Sequence, residues 1–152
     1  MSHLSLLPLR LTPAPAARCL DLAARCGLAL TPDQLRDLDG RRLAALRDNG
    51  LVELDGGVLP QLIARFGPRL DEPGRAAEDL AALQALFYHH RRATAGALTD
   101  GELLDALVLL YDGPAHGAIE PLADVDRYDL VRIGHTGSLR GTEWEEGDGD
   151  AD

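Results

Sequence analysis

Apolar residues recur along this chain at intervals of three and four, the spacing of one face of an α-helix. Cys19, Leu22, Ala23 and Cys26 form such a stripe and predict a helix from about Pro15 to Cys26, stopped by Gly27. Thr31-Pro32-Asp33-Gln34 then combines an N-cap, a proline suited to the first helical position and a glutamine placed to close a capping box. The helix it opens carries Leu35, Leu38, Leu43, Ala44 and Leu46 and ends at Asn49-Gly50. Leu51 to Leu54, Asp55-Gly56-Gly57 and Val58-Leu59 read as a small β-hairpin, because Asp-Gly supplies the positive φ angles of a tight turn. Pro60 to Phe66 predicts a short helix closed by Gly67-Pro68. A long helix follows from about Asp71 or Glu72 to Arg92, with Ala76, Leu80, Leu83 and Phe87 on its inner stripe. Thr99-Asp100-Gly101-Glu102 is a second capping box, and Leu103, Leu104, Leu107, Val108, Leu110 and Tyr111 make the next helix apolar nearly all round. One or two short helices are expected around Leu122 and Tyr128 to Val131.

The expected fold is mainly α. A single helical domain of five to six helices covers residues 14–133, with the hairpin inserted at 51–59 and an extended lead-in over 1–13. From Gly134 to Asp152 the chain is acidic and has too little apolar area to offset the entropy of ordering it, so a disordered tail is expected over 134–152.

Composition sharpens this picture by exclusion. The 152 residues suffice for a core without disulfides or metals, and aromatic residues are only 4%, so Leu, Ala and Val must build it. The net charge of −10 works against non-specific nucleic-acid binding, which depends on neutralising phosphates, and against anionic membranes. All 15 basic residues are arginine. Lysine-dependent chemistry, including a Walker-type phosphate loop and a Schiff base, therefore lacks its central residue. Serine occurs only at positions 2, 5 and 138, and no G-x-S-x-G elbow exists. Cys19 and Cys26, seven apart on one helical face and separated by about 10 Å of rise, read as free core thiols of a reducing compartment. No signal peptide is read at the start, and no apolar run is long enough to span a bilayer.

An ordered series of short segments carries a resemblance. Cys26-Gly27-Leu28 ahead of Thr31, Asn49-Gly50-Leu51-Val52-Glu53, Asp55 to Leu59, and Leu62-Ile63 before Phe66 form one set. Leu83-Gln84 with Phe87-Tyr88, then Asp100 with Glu102-Leu103, form another. Over roughly residues 20–110 this order resembles a bacterial family known only as a domain of unknown function, number 6323. Where that family's pattern continues with lysine, asparagine and glutamate, this chain has His89-His90-Arg91-Arg92. The resemblance implies a fold and no reaction.

Chemistry-bearing residues are sparse. Adjacent His89 and His90 point about 100° apart on a helix and cannot share a metal, and no histidine follows at i+3 or i+4. Together with Arg91 and Arg92 they complement a helix C-terminal dipole. Glu102, Asp105 and Asp112 read as solvated carboxylates, and Asp148, Asp150 and Asp152 imitate only the opening of a calcium loop. No catalytic residue, cofactor site or metal site is assigned. By elimination, the functional expectation is a non-catalytic accessory or protein-interaction module of the cytoplasm, with a protein partner of unknown identity and no membrane association. Its expected contact surface is Phe87, Tyr88, His89 and Arg92. The alternative is a winged-helix-type DNA-binding regulator. It requires Asp39-Gly40 to be a turn, giving helices 32–38 and 41–48 and a wing over 51–59, with Arg36, Arg41, Arg42 and Arg47 toward the groove. Glu53 and Asp55 in the wing and the overall charge oppose nucleic acid as a partner.

Overall fold

Proline and the start signals of the sequence place the first helices. The computed structural model describes residues 12–48 and 58–145. Helix α1 (Pro13–Arg25) begins behind Thr12 with prolines in its first turn and ends where Gly27 takes φ +75°. Helix α2 (Pro32–Asp48) opens on the expected capping box: Gln34 N–H donates to Thr31 Oγ1 at 3.1 Å, and Thr31 N–H donates to Gln34 Oε1 at 2.9 Å. Helices α3 (Leu59–Phe66), α4 (Ala76–Ala93), α5 (Asp100–Asp112) and α6 (Arg127–Thr136) follow. Short 3₁₀ turns lie at Gly67–Arg69, Pro73–Arg75 and Glu120–Asp124. Among the described residues there is no strand.

Packing divides the chain into two compact units, Met1–Tyr88 and His89–Asp152, and the division falls inside α4. In the first unit α1 packs on α2 and α3. Helix α3 buries Leu59, Leu62, Ile63 and Phe66 completely, the i, i+3, i+4, i+7 set of one face. The end of α1 comes so close to the turn after α3 that a Cβ on Gly67 would lie 2.8 Å from Cys26 Sγ. Only glycine permits that approach.

In the second unit α5 packs on α6. Its Thr99 capping box forms as expected, and Leu103, Leu104, Ala106, Leu107, Leu110 and Tyr111 are buried. Asp126 caps α6 by accepting from Tyr128 N–H at 2.6 Å, while Leu130 and Ile133 face inward. Gly134 lets α6 settle on Leu98, whose Cδ2 would be 2.5 Å from a Cβ there.

Three expectations need correction. The hairpin does not extend to Val58-Leu59: Val58 is a turn residue and Leu59 begins α3, because Leu59 completes that helix's buried stripe. The rest of the expected hairpin, residues 51–57, lies outside the described residues. The helix-turn-helix division is also overturned. Helix α2 runs unbroken through Gly40, since Leu35, Leu38 and Leu46 stay in register across it and one glycine costs only about 1 kcal/mol. Finally, order does not stop at Gly134. Helix α6 continues to Thr136 and closes on Gly137 at φ +69°, with Gly137 N–H donating to Ile133 O at 2.8 Å. Residues 138–145 are held by polar anchors, with Leu139 and Trp144 half-buried: Arg132 Nε–H donates to Arg140 O at 2.9 Å, and Glu143 N–H to Asp129 Oδ2 at 3.4 Å. Residues 146–152 lie outside the described residues.

Candidate functional site

Buried polar side chains are the first place to look for chemistry, because an interior rarely tolerates them without a role. In the first unit the inward stripe of α2 reads Leu35, Leu38, Asp39, Arg42, Leu46. Arg42 is fully buried, and its Nε and Nη2 donate to Asp39 Oδ1 at 3.0 and 2.9 Å. The guanidinium stays charged at any ordinary pH, so this is a neutralised pair within one helix turn. Cys19, across from it on α1, is also buried. Burial pushes its thiol up to about 11; Asp39 adds to the rise, while Arg18 and Arg42 oppose it. A thiol with so little thiolate at neutral pH is a poor nucleophile. Gln84 of α4 donates its Nε2–H to Leu38 O at 3.0 Å, and its Oε1 is buried without a hydrogen-bond partner.

The second unit handles its buried polar group differently. His90 is 1% exposed and donates Nε2–H to Leu122 O at 2.7 Å, tying α4 to the 3₁₀ turn Glu120–Asp124. The carbonyl can only accept, so this ring nitrogen carries the proton. Burial holds the His90 pKa below its usual value and the neighbouring His89 adds to that, while the Leu122 hydrogen bond opposes it. Nearby, Arg91 pairs with Asp100 at 3.2 Å and thereby holds the first residue of α5.

Gln84 and His90 each tie α4 to another element of their own unit, while Asp39 and Arg42 pair within α2. Among the described residues no group of three or more His, Cys, Asp or Glu is arranged to hold a metal ion. No described helix is long and apolar enough to cross a membrane. A shallow hollow on the outer face of α2 is lined by Asp33, Arg36, Asp37, Gly40, Arg41 and Ala44. Its arginines are already paired, Arg36 with Asp33 at 2.8 Å and Arg41 with Asp37 at 2.9 Å. That is the pattern of a solvated helix face.

The surface anticipated from the sequence is only half on the surface. Phe87 and Tyr88 are fully buried, their rings edge to face at 5.1 Å, whereas His89 and Arg92 are exposed. The physical reason is that Leu86, Phe87 and Tyr88 are all buried, and three consecutive residues sweep about 200° of a helix. Helix α4 is thus enclosed on most of its circumference at that level. The arginines proposed for a DNA groove are likewise split: Arg36, Arg41 and Arg47 are exposed and Arg42 is interior. The sequence held a signal for this, since Arg42 lies four residues from both Leu38 and Leu46 on the apolar stripe.

One exposed pair was missed. Among the described residues Tyr128 is the large apolar side chain left open, 69% exposed at the start of α6. The Arg127 guanidinium lies 4.9 Å from its ring centroid and donates from Nη2 to its hydroxyl at 3.0 Å. The sequence pattern marks Tyr128 only as part of a short helix, because its exposure depends on Leu130 and Ile133 taking the inward positions.

Comparison with known proteins gives a family and no activity. The model of a family described as a family of unknown function (DUF6323) matches residues 16–137. No curated protein and no solved structure matches.

Proposed function

The chain belongs to this family, and we propose that it works as a non-catalytic protein-interaction module of the cytoplasm that engages a protein partner through the second unit. The exposed Arg127–Tyr128 pair carries this reading. Tyrosine and arginine are, with tryptophan, the side chains enriched among residues that dominate protein interfaces. Tyrosine offers a large contact area for few rotatable bonds, so fixing it against a partner costs little entropy. Here the Asp126 cap and the Arg127 guanidinium already hold the backbone and ring of Tyr128. His89 and Arg92, exposed on the same unit, supply the part of the surface expected from the sequence that is open to a partner. The interior supports the non-catalytic side of the reading: Asp39 and Arg42 are engaged with each other, His90 joins α4 to the 3₁₀ turn, and the Cys19 thiol is suppressed.

The test is capture of partners from native cell extract with the full chain as bait, followed by the same capture with Tyr128→Ala and Arg127→Ala together. A stoichiometric protein held by the native chain and lost with the double variant is the expected result. A partner retained at full occupancy by the double variant, or no stoichiometric protein in either capture, refutes the proposal. Both positions are exposed, so the double variant should unfold within about 0.5 kcal/mol of the native chain.

A further inference from the structure

We propose that His90 is an acid-sensitive latch, whose protonation loosens the attachment of the 3₁₀ turn Glu120–Asp124 to α4. The geometry that carries this is a single side chain joining two segments 32 residues apart from an enclosed position: His90 is 1% exposed and its Nε2–H meets Leu122 O at 2.7 Å. Leu122 is itself fully buried, so the joint is dry. A neutral imidazole satisfies such a joint with one hydrogen bond. An imidazolium there brings a full charge into the same space.

Charge from neighbouring elements does not rescue it. On α4 the adjacent His89 works against protonation, and Arg91 and Arg92 are further positive charges of the same helix turn. Carboxylates are carried by α5 (Asp100, Glu102, Asp105, Asp112) and by the 3₁₀ turn (Glu120, Asp124). Asp100 is engaged by Arg91, and the groups acting on the His90 ring are burial, the Leu122 carbonyl and His89. The C-terminal end of α4 favours a positive charge through its dipole, whereas burial disfavours it and holds the His90 pKa below its usual value.

The sign follows from linkage. When the joint opens, His90 becomes an ordinary solvated imidazole with a pKa near 6.5. The closed joint is therefore fully stable above that pH. It weakens as pH falls below it, because the open form takes up a proton that the closed form resists. Between pH 7.5 and 5.5 the opening equilibrium rises by at most about tenfold.

Hydrogen exchange of the full chain, corrected for intrinsic rates, reads this directly in the amides of residues 115–126. We expect their protection to fall severalfold from pH 7.5 to 5.5 in the native chain and to stay level in His90→Gln. Glutamine keeps a donor at the position of Nε2 and cannot titrate. His89→Gln should retain most of the fall. Level protection in the native chain, or an equal fall in His90→Gln, overturns the latch. Should His90→Gln fail to fold, imidazole titration followed by NMR in the native chain decides the matter. A His90 midpoint below those of exposed His89 and His116 supports the latch, and a midpoint at the ordinary value overturns it.

Discussion

The two units bury hydrogen-bonding charge carriers in opposite ways. The first encloses a full ion pair, Asp39 with Arg42, inside one turn of α2. The second encloses one neutral imidazole, His90, against a backbone carbonyl. A buried ion pair is self-compensating, but it fails badly if one member is lost. A buried neutral histidine costs little as it stands and yields to acid. The contrast teaches that the burial of a polar side chain says little about activity until its partner is known. Here one interior pairs its charges within a single helix, and the other uses its imidazole to join two elements.

Removing half of the ion pair breaks the comparison most violently. Arg42→Met strands the Asp39 carboxylate in the interior and should cost about 3–5 kcal/mol in urea denaturation of the full chain. Asp39→Asn should also destabilise. The double variant Asp39→Asn with Arg42→Met should cost clearly less than the sum, since neither charge is then left alone. Additive costs would mean that the two side chains do not act as a pair.

Glycines sharpen the contrast at smaller scale. In the second unit Gly134→Ala drives a methyl into Leu98 and should cost about 1–3 kcal/mol. In the first unit nothing lies within 4 Å of a Cβ on Gly40, so Gly40→Ala should stabilise α2 by about 0.5–1 kcal/mol. A loss of stability in Gly40→Ala would contradict a continuous helix open on that face. The smallest effect is chemical: Cys19, buried and with its thiol pushed up to about 11, should resist alkylation of the folded chain at pH 7.5, as measured by mass spectrometry. Its modification at the rate of a free thiol would show that the α1–α2 joint is not enclosed.

What could be read in advance follows from how local each feature is. Capping boxes at Thr31 and Thr99 and the stop at Gly27 are signals of three or four adjacent residues, and they position α1, α2 and α5 as expected. Glycine in a helix is ambiguous at that range. Gly40 could mark a turn or be tolerated, and the decision rests on the apolar register continuing from Leu38 to Leu46. The order of residues 134–145 escapes a periodicity reading because Leu139 and Trp144 are isolated apolar positions and the anchoring by Arg132 and Asp129 is polar. The contact surface was half misplaced for a related reason. Periodicity puts Phe87 on the inner stripe of α4, but only packing reveals that Tyr88 beside it is enclosed as well. Exposure of Tyr128 is set by which face of α6 meets α5, a choice made in three dimensions.

A paired capture shows directly which unit meets the partner. Reversing the outer charges of α2 with Arg36→Glu and Arg41→Glu alters only an exposed face of the first unit. Replacing Arg127 and Tyr128 with alanine alters only an exposed face of the second. The α2 variant should hold the native partner at undiminished occupancy while the α6 variant releases it. Loss of the partner with the α2 variant and its retention with the α6 variant would place the contact on the first unit and contradict the account.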